Sequence, residues 1–180
     1  MKLLTLCVTI LLNILYTQLT AQDNSNNDLP LNKISYNEYS LSIPGDWWFS
    51  TQPNYGAIFF VYAPYKNNNI TSNCNFLIQN QPEPVSAEEF LELSINEVNQ
   101  YLKNPKIITQ KITDGLNGKV LELEYTGLLD NQQMHWYQYA WSVGKSNYVL
   151  TFTSSSDDYP VLINYFKKIY ESFVVNKNPK

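Results

Sequence analysis

The single histidine of this 180-residue chain, His135, lies in the run "MHWYQYAWSV". In an extended strand alternate side chains share a face. His135, Tyr137, Tyr139, Trp141 and Val143 therefore line one side, and Met134, Trp136, Gln138 and Ala140 the other. Two kinds of chemistry fit the first row. A histidine with a nucleophile and an orienting acid in hydrogen-bond reach can take up and return a proton. Alternatively, His135, Tyr137, Tyr139 and Trp141 offer a broad platform on which a sugar, peptide or lipid could stack. The platform is the sharper expectation, because no GxSxG-type nucleophile turn accompanies the histidine. The same pattern is also ordinary packing of a sheet against a helix.

Other reactive side chains are few. Glu122 and Glu124 stand at i and i+2 on one strand, roughly 7 Å apart from the strand rise. Paired acid–base work or metal binding is conceivable there, but a solvated polar face is the plainer expectation. Asp157-Asp158 reads as helix capping. No second histidine or cysteine cluster exists to hold zinc, and no metal or other cofactor is expected. Cys74 alternates with Phe76 and Ile78 and reads as a small buried hydrophobe. In "SIPGDWWF" the pair Trp47 and Trp48 could clamp a ligand or anchor a hairpin corner. Alternation sends one ring to the core and leaves the other outward, and Trp48 joins the contact candidates.

Those residues need elements to hold them. "YSLSI" (39–43) alternates as a half-buried strand, and "WWFST" after the Pro-Gly-Asp turn is expected to return antiparallel to it. "AIFFVYA" (57–63) is apolar on both faces, as a strand covered on both sides requires. "PYKNNNITS" reads as a loop, and "NCNFLIQ" (73–79) as the next strand. Ser86 and Glu89 have capping-box spacing, and Phe90, Leu91, Ile95, Val98, Tyr101 and Leu102 form a helical stripe out to Pro105. Four strands follow at 105–112, 117–127, 133–143 and 147–154, separated by Asp-Gly, Asp-Asn and Gly-Lys turn signals. A last helix starts near Asp158, with Pro160 in its first turn and Leu162, Phe166, Ile169 and Phe173 on one face. Tight turns between the later strands argue against a parallel nucleotide-binding fold. The class is α+β, with helices packed on an antiparallel sheet.

The ends and the bulk properties bound the setting. Lys2, an apolar run to Tyr16 and a small residue before a polar stretch predict a signal peptide, residues 1–21, cleaved after Ala21. Residues 22–33 read as a flexible leader, 34–176 as one globular domain and 177–180 as a tail. The expected location is exported, periplasmic or secreted, with no stable membrane span after cleavage. The mature chain carries 11 lysines, no arginine and 16 acids, a net charge of −5. Without a basic stripe or arginine, a nucleic-acid partner is not expected. Cys74 is the one cysteine left after cleavage, so an intramolecular disulfide is excluded. Asn69-Ile70-Thr71 is a glycosylation sequon of the kind an asparagine-rich chain produces by chance.

"YSLSIPGDWW" resembles the N-terminal hairpin of the PsbP-like and DcrB-like proteins, with strand, proline, polar turn and tryptophan in the same order. The "SAEEFLELSINEV" helix, the Asn117-to-Ser154 meander and the "YFKKIYESF" helix continue that resemblance over roughly residues 34–176. It implies an α-β-α sandwich: a central antiparallel sheet of six to seven strands with two main helices. It does not imply one activity, since such proteins include photosystem accessory subunits, a GTPase-binding nuclear factor and bacterial envelope proteins. The expected function is an exported, non-enzymatic accessory or binding domain that acts on a protein or small-ligand partner. The exposed sheet face and the segment 64–73 are its expected contact surfaces. The alternatives are a small hydrolase-like envelope enzyme using His135, or a structural component of an envelope assembly.

Overall fold

The computed structural model describes residues 30–36, 39–52, 56–67, 70–115 and 118–175. The expected signal peptide with its cleavage point at Ala21, residues 22–29 of the expected leader, the tail and Asn69 of the sequon lie outside them. The elements run β1 (Leu31–Ser35), β2 (Tyr39–Pro44), β3 (Trp48–Ser50), β4 (Phe59–Asn67) and β5 (Ile70–Asn80). Next come α1 (Ala87–Tyr101), β6 (Lys103–Gly115), β7 (Gly118–Leu129), β8 (Gln132–Val143) and β9 (Ser146–Ser155). The chain finishes with α2 (Tyr159–Ser172) and β10 (Val174–Val175).

Seven strands form one antiparallel sheet in the order β3-β4-β5-β9-β8-β7-β6, and β1-β2-β10 form a second, small sheet. Turn chemistry sets this meander. Asp130 and Asn131 both take positive φ, 49° and 65°, which is the two-residue turn whose twist matches a hairpin. Gly144, at φ 61°, turns β8 into β9. Each strand from β6 to β9 is thereby laid beside the last. β6 is one edge of the sheet, and its pairing with β7 slips between Lys103 and Lys106 and again between Ile107 and Thr109. Asn104 beside the first slip has φ 53°.

Each face of the large sheet carries one helix. On one side α1 packs against β6 and β7. There Phe90, Val98 and Leu102 meet Leu121, Leu123, Tyr125, Met134 and Trp136. Ser86 caps α1 by accepting from the Glu89 N–H at 3.1 Å. On the other side α2 and the small sheet together cover the row from β4 to β8. Leu162, Phe166 and Ile169 of α2 are buried among Leu41, Val61, Leu150 and Phe152. Each fully buried side chain of this kind contributes roughly 1.5–3 kcal/mol. The fold is the α-β-α sandwich of the α+β class.

Four details depart from expectation. The Pro-Gly-Asp turn is no hairpin: β2 pairs with β1 and β10, whereas β3 pairs with β4 in the other sheet. Trp47 is the reason, because its ring is buried against Tyr165 and Phe166 of α2 and draws the chain away from β2. Residues 64–67 and 70–73, expected within a loop, are strand, since β4 runs to Asn67 and β5 begins at Ile70. β1 starts at Leu31, inside the stretch expected as leader, because β2 offers it a full register of partners. Tyr101, placed in the α1 stripe, is exposed, because Val98 and Leu102 on either side of it are the residues that meet the sheet.

Candidate functional site

The histidine row points at α2 and is covered by it. His135, Tyr137, Tyr139 and Trp141 are all buried. The Tyr159 ring of α2 stacks on His135 with centroids 3.3 Å apart and planes 5° from parallel. Tyr170, three turns further along α2, stacks on Tyr139 at 3.5 Å and 1°. Trp141 stacks on Tyr148 at 5.6 Å and faces Phe173 beyond the helix end. The outward-facing candidate Trp48 lies on the opposite face of the sheet, 61% exposed, with one side of its indole on Tyr62. The structure therefore brings four of the five candidates together and leaves Trp48 apart.

Register shows what the sequence reading missed. Glu124 lies opposite Tyr137, and Glu122 opposite Tyr139, so both carboxylates share the face of the histidine row. Their solvated face is not observed: the two side chains keep only 15% and 13% of their surface. Glu124 Oε1 accepts from His135 Nε2 at 2.9 Å and from the Tyr159 hydroxyl at 2.7 Å. Its other oxygen accepts from Thr109 Oγ1 at 3.1 Å. Glu122 Oε2 accepts from the Tyr137 hydroxyl at 2.6 Å and pairs with Lys111 Nζ at 2.9 Å. A carboxylate can accept about four such bonds, and charge-assisted ones are the strong class. Two rungs thus tie β6, β7 and β8 together, and the first also ties in the start of α2. Asp158 stands at the N-cap of α2 but makes no side-chain capping bond, so the expected cap is not how this end is held.

The electrostatics follow from burial. Desolvation lowers the His135 pKa below its ordinary value, and the Glu124 hydrogen bond opposes it in part. Burial pushes the Tyr139 hydroxyl up to about 12. It raises Tyr137 and Tyr159 as well, and each is raised further by donating to a carboxylate. Around neutrality these phenols are hydrogen-bond donors, not nucleophiles. Ser154 lies directly opposite His135 on β9. Its side chain has no exposure and its Oγ no hydrogen-bond partner, so the ring does not activate it. Cys74 is buried with its thiol pKa raised well above the ordinary value by desolvation, which keeps it un-ionised and unreactive. Among the described residues no group of three or more His, Cys, Asp and Glu side chains could hold a metal ion.

No family model matches the chain, and no curated protein does. Solved structures do. The solution structure of cyanobacterial PsbP (CyanoP) from Synechocystis sp. PCC 6803 superposes with a TM-score of 0.58 at 14% identity, covering 88% of this chain and 99% of that one. LpqN, involved in cell envelope biogenesis of Mycobacterium tuberculosis, gives 0.60 at 11% identity, covering 83% and 92%. A Ran-binding protein of Saccharomyces cerevisiae gives 0.58 at 4% identity, covering 82% and 96%. At these identities the likeness is one of fold. The chain has the PsbP-like fold.

Proposed function

We propose that the protein is an exported, non-enzymatic accessory domain that works by contact with a partner. The observation that carries this reading is the use made of the His135 cluster. Its histidine, both carboxylates, the Tyr137 and Tyr159 hydroxyls and Lys111 are spent on bonds to one another that tie β6, β7 and β8 together and, through Tyr159, fasten the start of α2 to the sheet. An active site keeps such groups facing a substrate; here they face a helix. The similar folds of CyanoP and LpqN, the second involved in envelope biogenesis, fit a domain of this kind outside the cytoplasm. Among the described residues no helix is long and apolar enough to cross a membrane.

Two measurements test the reading. The full chain, expressed from its own start codon in a Gram-negative host, is expected in the exported fraction with Gln22 as its first residue. Intact chain retained in the cytoplasm would refute export. Esterase, amidase and phosphatase substrates are expected to give no turnover above a buffer blank. Turnover that disappears in His135→Ala, with the variant still folded, would establish the hydrolase reading instead.

A further inference from the structure

The seven-stranded sheet ends on one side at β3, which pairs with β4 and has no strand on its outer side among the described residues. Exposed strand edges are ordinarily kept from pairing with another chain by a lysine, a proline or a bulge. β3 has none of the three. It reads Trp48-Phe49-Ser50 in unbroken register with β4, and only its length of three residues limits what can be added to it. Its side chains are held on both faces. On the α2 side Phe49 packs on Phe59 with centroids 5.5 Å apart, and on the α1 side Trp48 stacks on Tyr62 at 5.1 Å. Tyr62 stacks in turn on Phe60 at 5.5 Å. This ladder of rings runs along β4, steps out to β3 and stops at Trp48, which is exposed. The indole face that Tyr62 does not cover points past the edge of the sheet.

We propose that the β3 edge binds the same edge of a second copy of this chain, making a two-fold dimer. The proposal stands independently of the function proposed above. Identical edges related by a two-fold axis run antiparallel. With Trp48 on the α1 side of the sheet in both copies, the register that uses all three residues sets Phe49 against Phe49 and Trp48 against Ser50. The two Trp48 rings then stand at diagonal positions across the seam, a spacing that aromatic side chains bridge. The open indole face of each copy gains a ring, and the ladder continues from one copy into the other. Charge permits this pairing. Among the described residues from 39 to 63, Asp46 is the single charged side chain, and the antiparallel register puts its two copies at opposite ends of the seam. Other extended segments could meet the same backbone groups. A second copy is favoured because it brings an uncharged strand with a tryptophan where the open ring faces. The pairing also closes, since it uses up both β3 edges and leaves β6 at either end. A seam this short belongs with the weak, reversible interfaces.

The test is sedimentation equilibrium of the purified chain over rising concentration, with Tm measured for each variant. A reversible monomer–dimer equilibrium is expected, and tryptophan emission should move to shorter wavelength as the dimer fills. Trp48→Ala is expected to weaken association at least about tenfold, as loss of a central aromatic anchor does, with an unchanged Tm in dilute solution. Ser50→Glu is expected to weaken it as well, since it sets a carboxylate against the electron-rich face of the second copy's indole. If Ser50→Glu also lowers the Tm, Trp48→Ala decides alone. A chain that stays monomeric to the limit of its solubility overturns the proposal and leaves the edge to a strand of a different protein. A dimer that either folded variant leaves at parental strength overturns it too, and places the contact elsewhere.

Discussion

Tyr159→Phe isolates the rung that fastens α2. The substitution keeps the ring, and with it the 3.3 Å stack on His135, and deletes only the hydroxyl that donates to Glu124. A hydrogen bond to a charged acceptor contributes about 1.5–3 kcal/mol. Glu124 retains His135 and Thr109 as donors and is not left bare, so the lower part of that range, about 1.5–2 kcal/mol, is expected. For a domain of this size each kcal/mol moves Tm by roughly 2–4 °C. Urea unfolding followed by tryptophan emission should then show a lower midpoint with an unchanged slope, since the buried surface is the same. Glu124→Gln in the same background completes a double-mutant cycle, and a coupling above about 0.5 kcal/mol is expected for groups in direct contact. A loss below about 0.5 kcal/mol in Tyr159→Phe, or a coupling near zero, would show that the hydroxyl does not fasten the helix.

Three further outcomes follow from the same contacts. His135 titrates below its unfolded value of about 6.5, so the folded state prefers the neutral ring. Its contribution is complete above that value, declines as the pH falls from about 6.5 through the folded pKa, and levels off below it. Between pH 7.5 and 5 the Tm of His135→Gln should therefore decline less than that of the parent; an equal decline would remove His135 as the cause. Trp47→Ala should cost about 3–5 kcal/mol as a core truncation, whereas Trp48→Ala should stay within about 0.5 kcal/mol, and comparable losses would contradict their assigned sides. The Cys74 thiol should resist Ellman's reagent in the native protein and react fully in 6 M guanidinium chloride (about the strength that unfolds most domains); rapid native labelling would place it nearer the surface.

The fold was legible wherever a local rule and the tertiary structure agreed. Ser86 and Glu89 marked the start of α1, Asp130-Asn131 marked a turn, and the apolar spacing of Leu162, Phe166 and Ile169 marked the buried face of α2. It was not legible where pairing partners are distant in sequence. The hairpin expected at "SIPGDWW" failed because nothing local says that β2 is flanked by residues 31–35 and 174–175. For the site, alternation grouped His135, Tyr137, Tyr139 and Trp141 correctly on one face. Alternation within β7 cannot say which face of the sheet Glu122 and Glu124 take; only the β7–β8 register sets them beside the histidine row. A signal was present, because polar positions opposite an aromatic row on the next strand invite hydroxyl–carboxylate pairs.

The edge strand β6 has a consequence for how this protein behaves in a crowd. At 13 residues it is the longest strand of the sheet, and one side of it has no strand partner among the described residues. A long, flat edge invites another chain to add a strand, which is the first step towards fibrils. Here the two slips bend the edge out of register, Pro105 removes a donor from it, and Lys103 and Lys106 place positive charge along its exposed length. Two copies meeting edge to edge would oppose lysine to lysine across a kinked seam. The sheet is thus guarded against growth on that side, and smoothing β6 by replacing those lysines and Pro105 would turn the margin of the sheet into a template for aggregation.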